Sequence, residues 1–315
     1  MGGPKCNSRQ VVRLTHDKAR CSAHLQKHGL PIPASATFAR KPSLARLRRE
    51  LSRSGVAFPV VVKPLRGEYG RGVHVDVRTP AHALELVHRL LATWRDGVIV
   101  EQMVFGNDYR ILVHNGHIVD VLERRLSIVG DGVSTVGELS RAFVARVIQR
   151  RGNDRTNFVD EHFLDGTRIL GIGEELRVSR LGGYNIGCRW IPLASVNPTL
   201  MAMWSKCARV LGATLIGIDF ICDDVTAASA RGHINEVNAG PDFTPHVKAQ
   251  PFRPGYKKYL NERIPCRAIE LRTKSQRGDA RVSIVAVGLL LVLGILVICG
   301  AARRRGVSAA ARRRR

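Results

Sequence analysis

Apolar positions along this chain keep two rhythms, a period near 3.6 in some stretches and strict alternation in others, with glycine or proline at the breaks. Asp17 opens a helical pattern over 17–28 that carries Ala19, Ala23 and Leu25 on one face, and Gly29 and Pro31 close it. Residues 43–54 predict a second, arginine-rich helix stopped by Gly55. A β-branched run at 58–62 reads as a buried strand, and alternation resumes at 73–77. Thr79-Pro80 then caps a helix through Trp94, with Leu84, Val87, Leu90 and Leu91 as its apolar positions.

A strand at 98–100 is followed by alternating runs at 109–113 and 117–122. The Asn115-Gly116 pair between those runs is a strong two-residue hairpin signal. After a Gly130-Asp131-Gly132 turn, Thr135 and Glu138 form a capping box that opens a helix to Arg151. Asn197-Pro198 starts a helix that ends at Gly212, and 214–222 and 233–237 read as strands. Residues 1–14 look like a polar, basic lead-in, 152–195 look irregular, and the chain after Pro241 looks loop-like to 271.

Charge changes this picture. The 315 residues carry a net charge of +24, and their acidic partner is a nucleotide, an anionic polymer, nucleic acid or a charged membrane. From Arg272 onward lie 11 of the 50 basic residues and one of the 26 acids, so the remainder still holds an excess of 14 positive charges. Aromatics make up only 5 % and no basic run is interleaved with them, which speaks against a single-strand nucleic-acid platform. Seven scattered cysteines without a CxxC predict neither a zinc site nor a disulfide framework, and they fit a reducing compartment. Residues 282–301, VSIVAVGLLLVLGILVICGA, hold twenty uncharged positions, enough to cross ~30 Å of hydrocarbon as one transmembrane helix.

Two stretches carry candidate chemistry. In FPVVVKPLRGEYGRGVHV (58–75), Lys63 ends a strand, and Gly67, Gly70 and Gly72 follow around Arg71. Glycines let backbone N–H groups approach a ligand closely, and the neighbouring cations suit a polyphosphate. The spacing is neither a P-loop nor a dinucleotide-binding fingerprint, and a surface turn is the plain alternative. Downstream, Asp219 ends one strand, while Glu236 and Asn238 share a face of the next because side chains two apart point the same way. Three hard oxygen donors there would suit Mg²⁺ on nucleotide phosphates.

Together these segments resemble the ATP-grasp superfamily, and within it the ATP-grasp portion of cyanophycin synthetases. VVKPLRGEYGRGV, the block VIVEQMVFGNDYRILVHNGHIVDVLERR with VGDGVSTVGEL, and GIDFICDD with INEVNAGPDFTPH carry the resemblance over residues 15 to 250. D-alanine–D-alanine ligase and glutathione synthetase share the skeleton less closely. The resemblance implies an α/β (α+β) ATP-grasp fold in which two α+β subdomains grip ATP. They would span 15–105, with the glycine flap, and 106–271, with the metal site. A basic linker (272–281), the membrane helix and an arginine-rich tail (302–315) would follow.

The same resemblance implies residue roles. Lys18 and Lys63 would hold ATP phosphates, and Gly67, Gly70, Arg71 and Gly72 would form the flap over them. Glu101 and the backbone near Val104 would meet adenine, with Asp108 toward the ribose. Asp219, Glu236 and Asn238 would bind two Mg²⁺, or Mn²⁺ in its place. Arg110, Arg180 and Asn185 would handle phosphate or the reacting carboxylate. The sequence departs from the family's pattern at Pro241-Asp242, where the family has Pro-Gly, and around Asn185-Ile186-Gly187-Cys188. The family's larger N-terminal domain and Mur-ligase-like half have no counterpart in the segment matched.

The implied activity is ATP-dependent ligation of a carboxylate to an amine, with an amino acid or acidic peptide as substrate and no specific nucleic acid. A tethered nucleotide or polyanion binder and a kinase on the same scaffold are the alternatives. Arginines after the apolar stretch favour a cytosolic C-terminus. The need for ATP favours a cytosolic body and a C-terminal single-pass anchor.

Overall fold

A computed structural model describes residues 6–67, 71–151, 159, 161–179 and 188–249, all within one compact unit, Met1–Arg267. Two helices open it, α1 (Arg9–His16) and α2 (Lys18–Lys27). The segment expected to be a polar lead-in thus holds a helix, capped by Ser8, whose side chain accepts from the Val11 N–H. Asn7 fastens its start to the body, donating to Leu215 O and Ala239 O at 2.5 and 2.7 Å. Asp17 caps α2 as its position predicts.

The first sheet contains β1 (Ser35–Phe38), β2 (Val60–Pro64), β3 (His74–Val77) and β4 (Val98–Gln102) in the order β1-β4-β2-β3, every pair antiparallel. Helices α3 (Leu44–Arg53) and α4 (Pro80–Thr93) bury Leu47, Leu51, Leu86, Val87 and Leu90 against Val60, Val62, Val98 and Val100. The sequence pattern does not reveal β1, a four-residue edge strand of which only Ala36 and Phe38 are buried. Strand β4 also runs two residues further than its β-branched run suggests, so Glu101 lies inside it.

The second sheet has the order β10-β9-β5-β6-β7, with β8 also on β6. Its strands are β5 (Asn107–His114), β6 (His117–Val129), β7 (Glu175–Ser179), β8 (Arg189–Pro192), β9 (Leu215–Cys222) and β10 (Gly232–Asn238). All its pairings are antiparallel, so among the described residues the fold is α+β, not a parallel α/β arrangement. Asn115 and Gly116, at φ 50° and 74°, make the tight turn from β5 to β6. Strands β7 and β8 fall in the stretch expected to be irregular, where charged and apolar residues do not alternate cleanly.

Three helices complete the unit: α5 (Val136–Arg151), opened by the Thr135–Glu138 capping box, α6 (Pro198–Leu211) and α7 (Thr244–Ala249). The last lies where a loop was expected. Core residues Tyr109, Ile111 and Val113 of β5 and Ile216, Ile218 and Phe220 of β9 pack against Leu200, Trp204 and Leu211 of α6. Trp204 meets Phe220 edge-on at 5.3 Å. One face of the large sheet is thereby filled, which leaves the opposite face for polar groups.

Among the described cysteines, Cys6 is disulfide-bonded, a cross-link that the scattered spacing does not announce, and Cys21, Cys188, Cys207 and Cys222 are free. The apolar stretch 282–301 lies outside the described residues, and among those described no helix is long and apolar enough to cross a membrane.

The start of α6 offers a stability test. Buried Asn197 accepts from the Thr199 N–H at 2.8 Å and donates to Ala227 O and Ala228 O at 2.7 and 3.0 Å. Asn197→Ala removes the cap and leaves two carbonyls short of a donor. It should lower unfolding free energy by about 1–3 kcal/mol in urea titrations.

Candidate active site

The small sheet contributes a buried ion pair. Lys63 and Glu101 lie on neighbouring strands β2 and β4, both almost fully buried, with Nζ 2.5 Å from Oε2. Burial works against the ammonium most strongly, yet Glu101, Glu236 and Asp219 together outweigh it and hold the Lys63 pKa above its ordinary value. Lys63 is therefore a fixed positive charge within the field of the two carboxylates expected to bind metal. Beyond β4, the Met103 N–H donates to Pro59 O at 2.9 Å, and Val104 follows half-buried outside the strand.

The polar face of the large sheet is built by register. Glu236 pairs with Asp219, Asp219 with Arg110 and Arg110 with Leu122, while Asn238 pairs with Gly217 and Asp108 with Arg124. A bulge between Ile234 and Glu236 shifts the alternation in β10. Ile234 and Val237 can then both enter the core while Glu236 and Asn238 share the other face. By register, Asp219, Glu236 and Asn238 lie on one face of the adjacent strands β9 and β10.

These groups are not free oxygens awaiting an ion. Arg110 and Arg124 both pair with Asp219, Arg124 at 3.4 Å, and Arg124 also pairs with Asp108 and stacks 5.9 Å above the Trp190 ring. The two guanidiniums hold the Asp219 pKa below the carboxylate range although burial pushes it up. Asp108, expected near a ribose, instead faces Arg124 from inside the sheet. Lys18 bridges Gly67 and β10, with Nζ 2.8 Å from Gly67 O and 3.2 Å from Glu236 Oε1. Arg66, one residue before Gly67, approaches Asp17 at 3.9 Å, so a second contact joins the flap base to the start of α2.

Lys18, Lys63, Gly67, Glu101, Arg110, Asp219 and Glu236 therefore belong to one charged neighbourhood, with Asn238 on its face and Asp108 at its edge. Arg71 is exposed, and Gly72 takes φ 65° where a Cβ would stand 3.0 Å from Leu90 and Pro64 atoms. Gly70, Arg180 and Asn185 lie outside the described residues. Sequence reasoning missed Arg124. Its signal was a charge two residues beyond Leu122, on the face of β6 that lies across from Asp108 and Arg110.

Among the described residues no three His, Cys, Asp or Glu side chains form a closed metal cage. Two carboxylates and an amide on adjacent strands nonetheless suit Mg²⁺, which keeps several waters and takes few protein ligands. A 260 Å³ cavity lined by Asn115, Gly116, His117, Ala208, Arg209, Gly212 and Ala213 lies at the other end of β5 and shares no residue with this neighbourhood.

The chain has the ATP-grasp α+β fold: it superposes on D-alanine–D-alanine ligase from Bacillus anthracis with a TM-score of 0.50 at 16 % identity, over 85 % of this chain and 71 % of that one. Residues 15–132 match the family model of the RimK-like ATP-grasp domain. Cyanophycin synthetase from Crocosphaera subtropica is 30 % identical over 255 residues, 75 % of this chain and 29 % of that protein. The glutathione biosynthesis bifunctional protein GshAB from Streptococcus mutans is 25 % identical over 248 residues, 71 % of this chain and 31 % of that protein. The chain thus spans less than a third of the length of these two relatives.

A pH test follows from the paired carboxylates. Burial first, and the like charge of Asp219, push the Asp108 carboxyl up to about 6 against the pull of Arg124. A folded pKa above the ordinary 3.8 means that protonation favours the fold, a benefit lost as pH rises from 3.8 through about 6. Asp219, with its depressed pKa, acts with the opposite sign and below 3.8. Asp108→Asn should therefore flatten the fall in unfolding free energy between those pH values, and an unchanged slope would show that this carboxyl does not titrate there.

Proposed function

We propose that this protein is an ATP-dependent carboxylate–amine ligase that forms an amide bond through an acyl-phosphate and releases ADP and phosphate. The observation that carries this reading is the position of Lys18. One ammonium touches both the carbonyl of Gly67 at the flap base and the carboxylate of Glu236 on the candidate metal strand. Gly67 and Glu236 therefore meet at a single cation, which supports a triphosphate held between the flap and the oxygen donors.

On this reading Lys18, Lys63 and the flap glycines hold the phosphates, and Asp219, Glu236 and Asn238 hold Mg²⁺. Mg²⁺ held by them would supply positive charge against that of the phosphates. Glu101 and the Val104 backbone line the adenine side. Arg110 and Arg124 would face the reacting carboxylate and stabilise negative charge as the acyl carbon is attacked. With flap closure excluding water from the labile acyl-phosphate, the protein acts by positioning and electrostatics. The basic composition supports an acidic acceptor, an amino acid or a peptide ending in Asp or Glu. A boundary near residues 105 and 106 is supported by the change of sheet there, while Cys21 and Leu25 of α2 pack in the core of the large sheet. The twenty uncharged residues at 282–301 support a C-terminal membrane anchor with the catalytic body in the cytosol.

The full chain, given ATP, Mg²⁺ and pools of amino acids and acidic peptides, should turn over ADP only when a carboxylate and an amine are both present. Steady ADP release with a hydroxyl acceptor and no amine would instead identify a kinase. Lys63→Ala and Asp219→Ala should remain folded by circular dichroism, with lower unfolding free energy because each strands a buried partner, and lower ADP formation by roughly 10²-fold or more. Undiminished turnover in either variant refutes the assignment.

A further inference from the structure

The chain leaving β10 folds back over the polar face beside Arg110. A Cβ on Gly217 would stand 2.9 Å from Pro241 Cβ and 3.0 Å from Arg110 Cζ, so loop and guanidinium meet over that glycine. A few residues later, α7 sets His246 against β6, with Nδ1 2.8 Å from Asp120 Oδ2. Asp120 pairs with Leu112 on β5 and therefore shares the face of Leu122 and Arg124. His246 is fully buried, and its Nε2 has no hydrogen-bond partner. Such an atom calls for an explanation. None of the residues assigned to phosphate or metal makes use of it.

Resting on the ligase reading, we propose that His246 is the proton acceptor for the amine substrate, with Asp120 orienting its ring. Asp120 accepts the hydrogen bond from Nδ1–H, which fixes the tautomer whose Nε2 lone pair is the base. The charged groups acting on His246 are Asp120 on β6, Arg110 on β5 and Asp242 in the preceding loop. Arg189 on β8 is exposed and pairs with Glu175 instead, and Lys248 of α7 is exposed. Burial lowers the His246 pKa more than Asp120 raises it, so the ring is neutral near neutral pH.

In the step itself an ammonium gives one proton to Nε2, and the freed nitrogen lone pair forms the C–N bond to the acyl carbon. The acyl C–O bond to phosphate breaks with its electrons on the leaving phosphate, which takes the second proton that the nitrogen must lose to become an amide. His246 then passes its proton to solvent. Nε2 is sealed in this structure, so the amine reaches it when the short α7 shifts.

The test uses the full chain with ATP, Mg²⁺, and L-aspartate, L-glutamate and dipeptides ending in them as carboxylates. The nucleophile is either hydroxylamine, which is largely unprotonated near neutral pH, or the pooled common amino acids. His246→Asn keeps a donor toward Asp120 and loses the acceptor at Nε2. It should retain hydroxamate formation while amide formation falls by roughly 10²- to 10⁴-fold, with partial recovery as pH is raised. Equal losses with both nucleophiles would mark a merely structural residue and overturn the proposal. So would no loss at all, or a wild type that makes hydroxamate but no amide. A wild type that makes no hydroxamate fails at the ligase reading itself, before His246 is reached. If His246→Asn does not fold, His246→Gln and Asp120→Asn are put through the same comparison, and equal loss with both nucleophiles again overturns the proposal.

Discussion

A carboxylate buried between two guanidiniums is the constraint around which the polar face of this protein is arranged. Asp219 stays ionised inside the sheet because Arg110 and Arg124 face it, and Arg124 is committed to Asp108 as well. Removing a partner from such a set leaves a buried charge uncompensated, a larger loss than the net worth of the pair when intact. The backbone makes room for the set. Gly217 lacks the side chain that would collide with the Arg110 guanidinium, and the antiparallel register puts Asp219 directly across from both Arg110 and Glu236.

The two sheets are brought into one electrostatic neighbourhood by side chains from three different places in the chain. Lys18 comes from the start of α2, Lys63 from the end of β2 and Glu236 from β10. Each sheet has its own apolar core, and α3 and α4 fill one while α6 fills most of the other. What lies between the cores is charged, and Lys63 feels the carboxylates of the opposite sheet strongly enough to overcome its own burial. Charge is therefore one link between the two layers, and a charged ligand would act on that link directly.

Much of this was legible in the chain because it rests on local rules. Asp17, Thr79 and Asn197 announce their helices by capping, and Asn115-Gly116 announces its hairpin through positive φ at both positions. The oxygen donors on β9 and β10 were legible because strand periodicity needs no tertiary knowledge. The unseen features depend on distant partners. Strand β1 is ordered by pairing with β4, and the charge pairing of Arg124 is visible only once β6 is laid beside β5 and β9. Glu101 looked like a strand exit until its pairing with Lys63 placed it inside the sheet.

Charge balance also explains how a site filled with ion pairs could still bind a ligand. The cations Lys18, Lys63, Arg110 and Arg124 are matched by the carboxylates Glu101, Asp108, Asp219 and Glu236, so the ligand-free site is neutral and desolvation is offset internally. A triphosphate arriving with divalent ions is itself close to neutral. It would let the carboxylates exchange guanidinium and ammonium partners for metal, while those cations turn to phosphate oxygens. Each buried charge keeps an opposite neighbour throughout, and the costly state with a bare ion in a low-dielectric site is avoided. An anion alone would strand the carboxylates, and a metal alone would strand the cations. The ion pairs of the ligand-free protein would thus favour the complete metal–nucleotide complex over either of its parts.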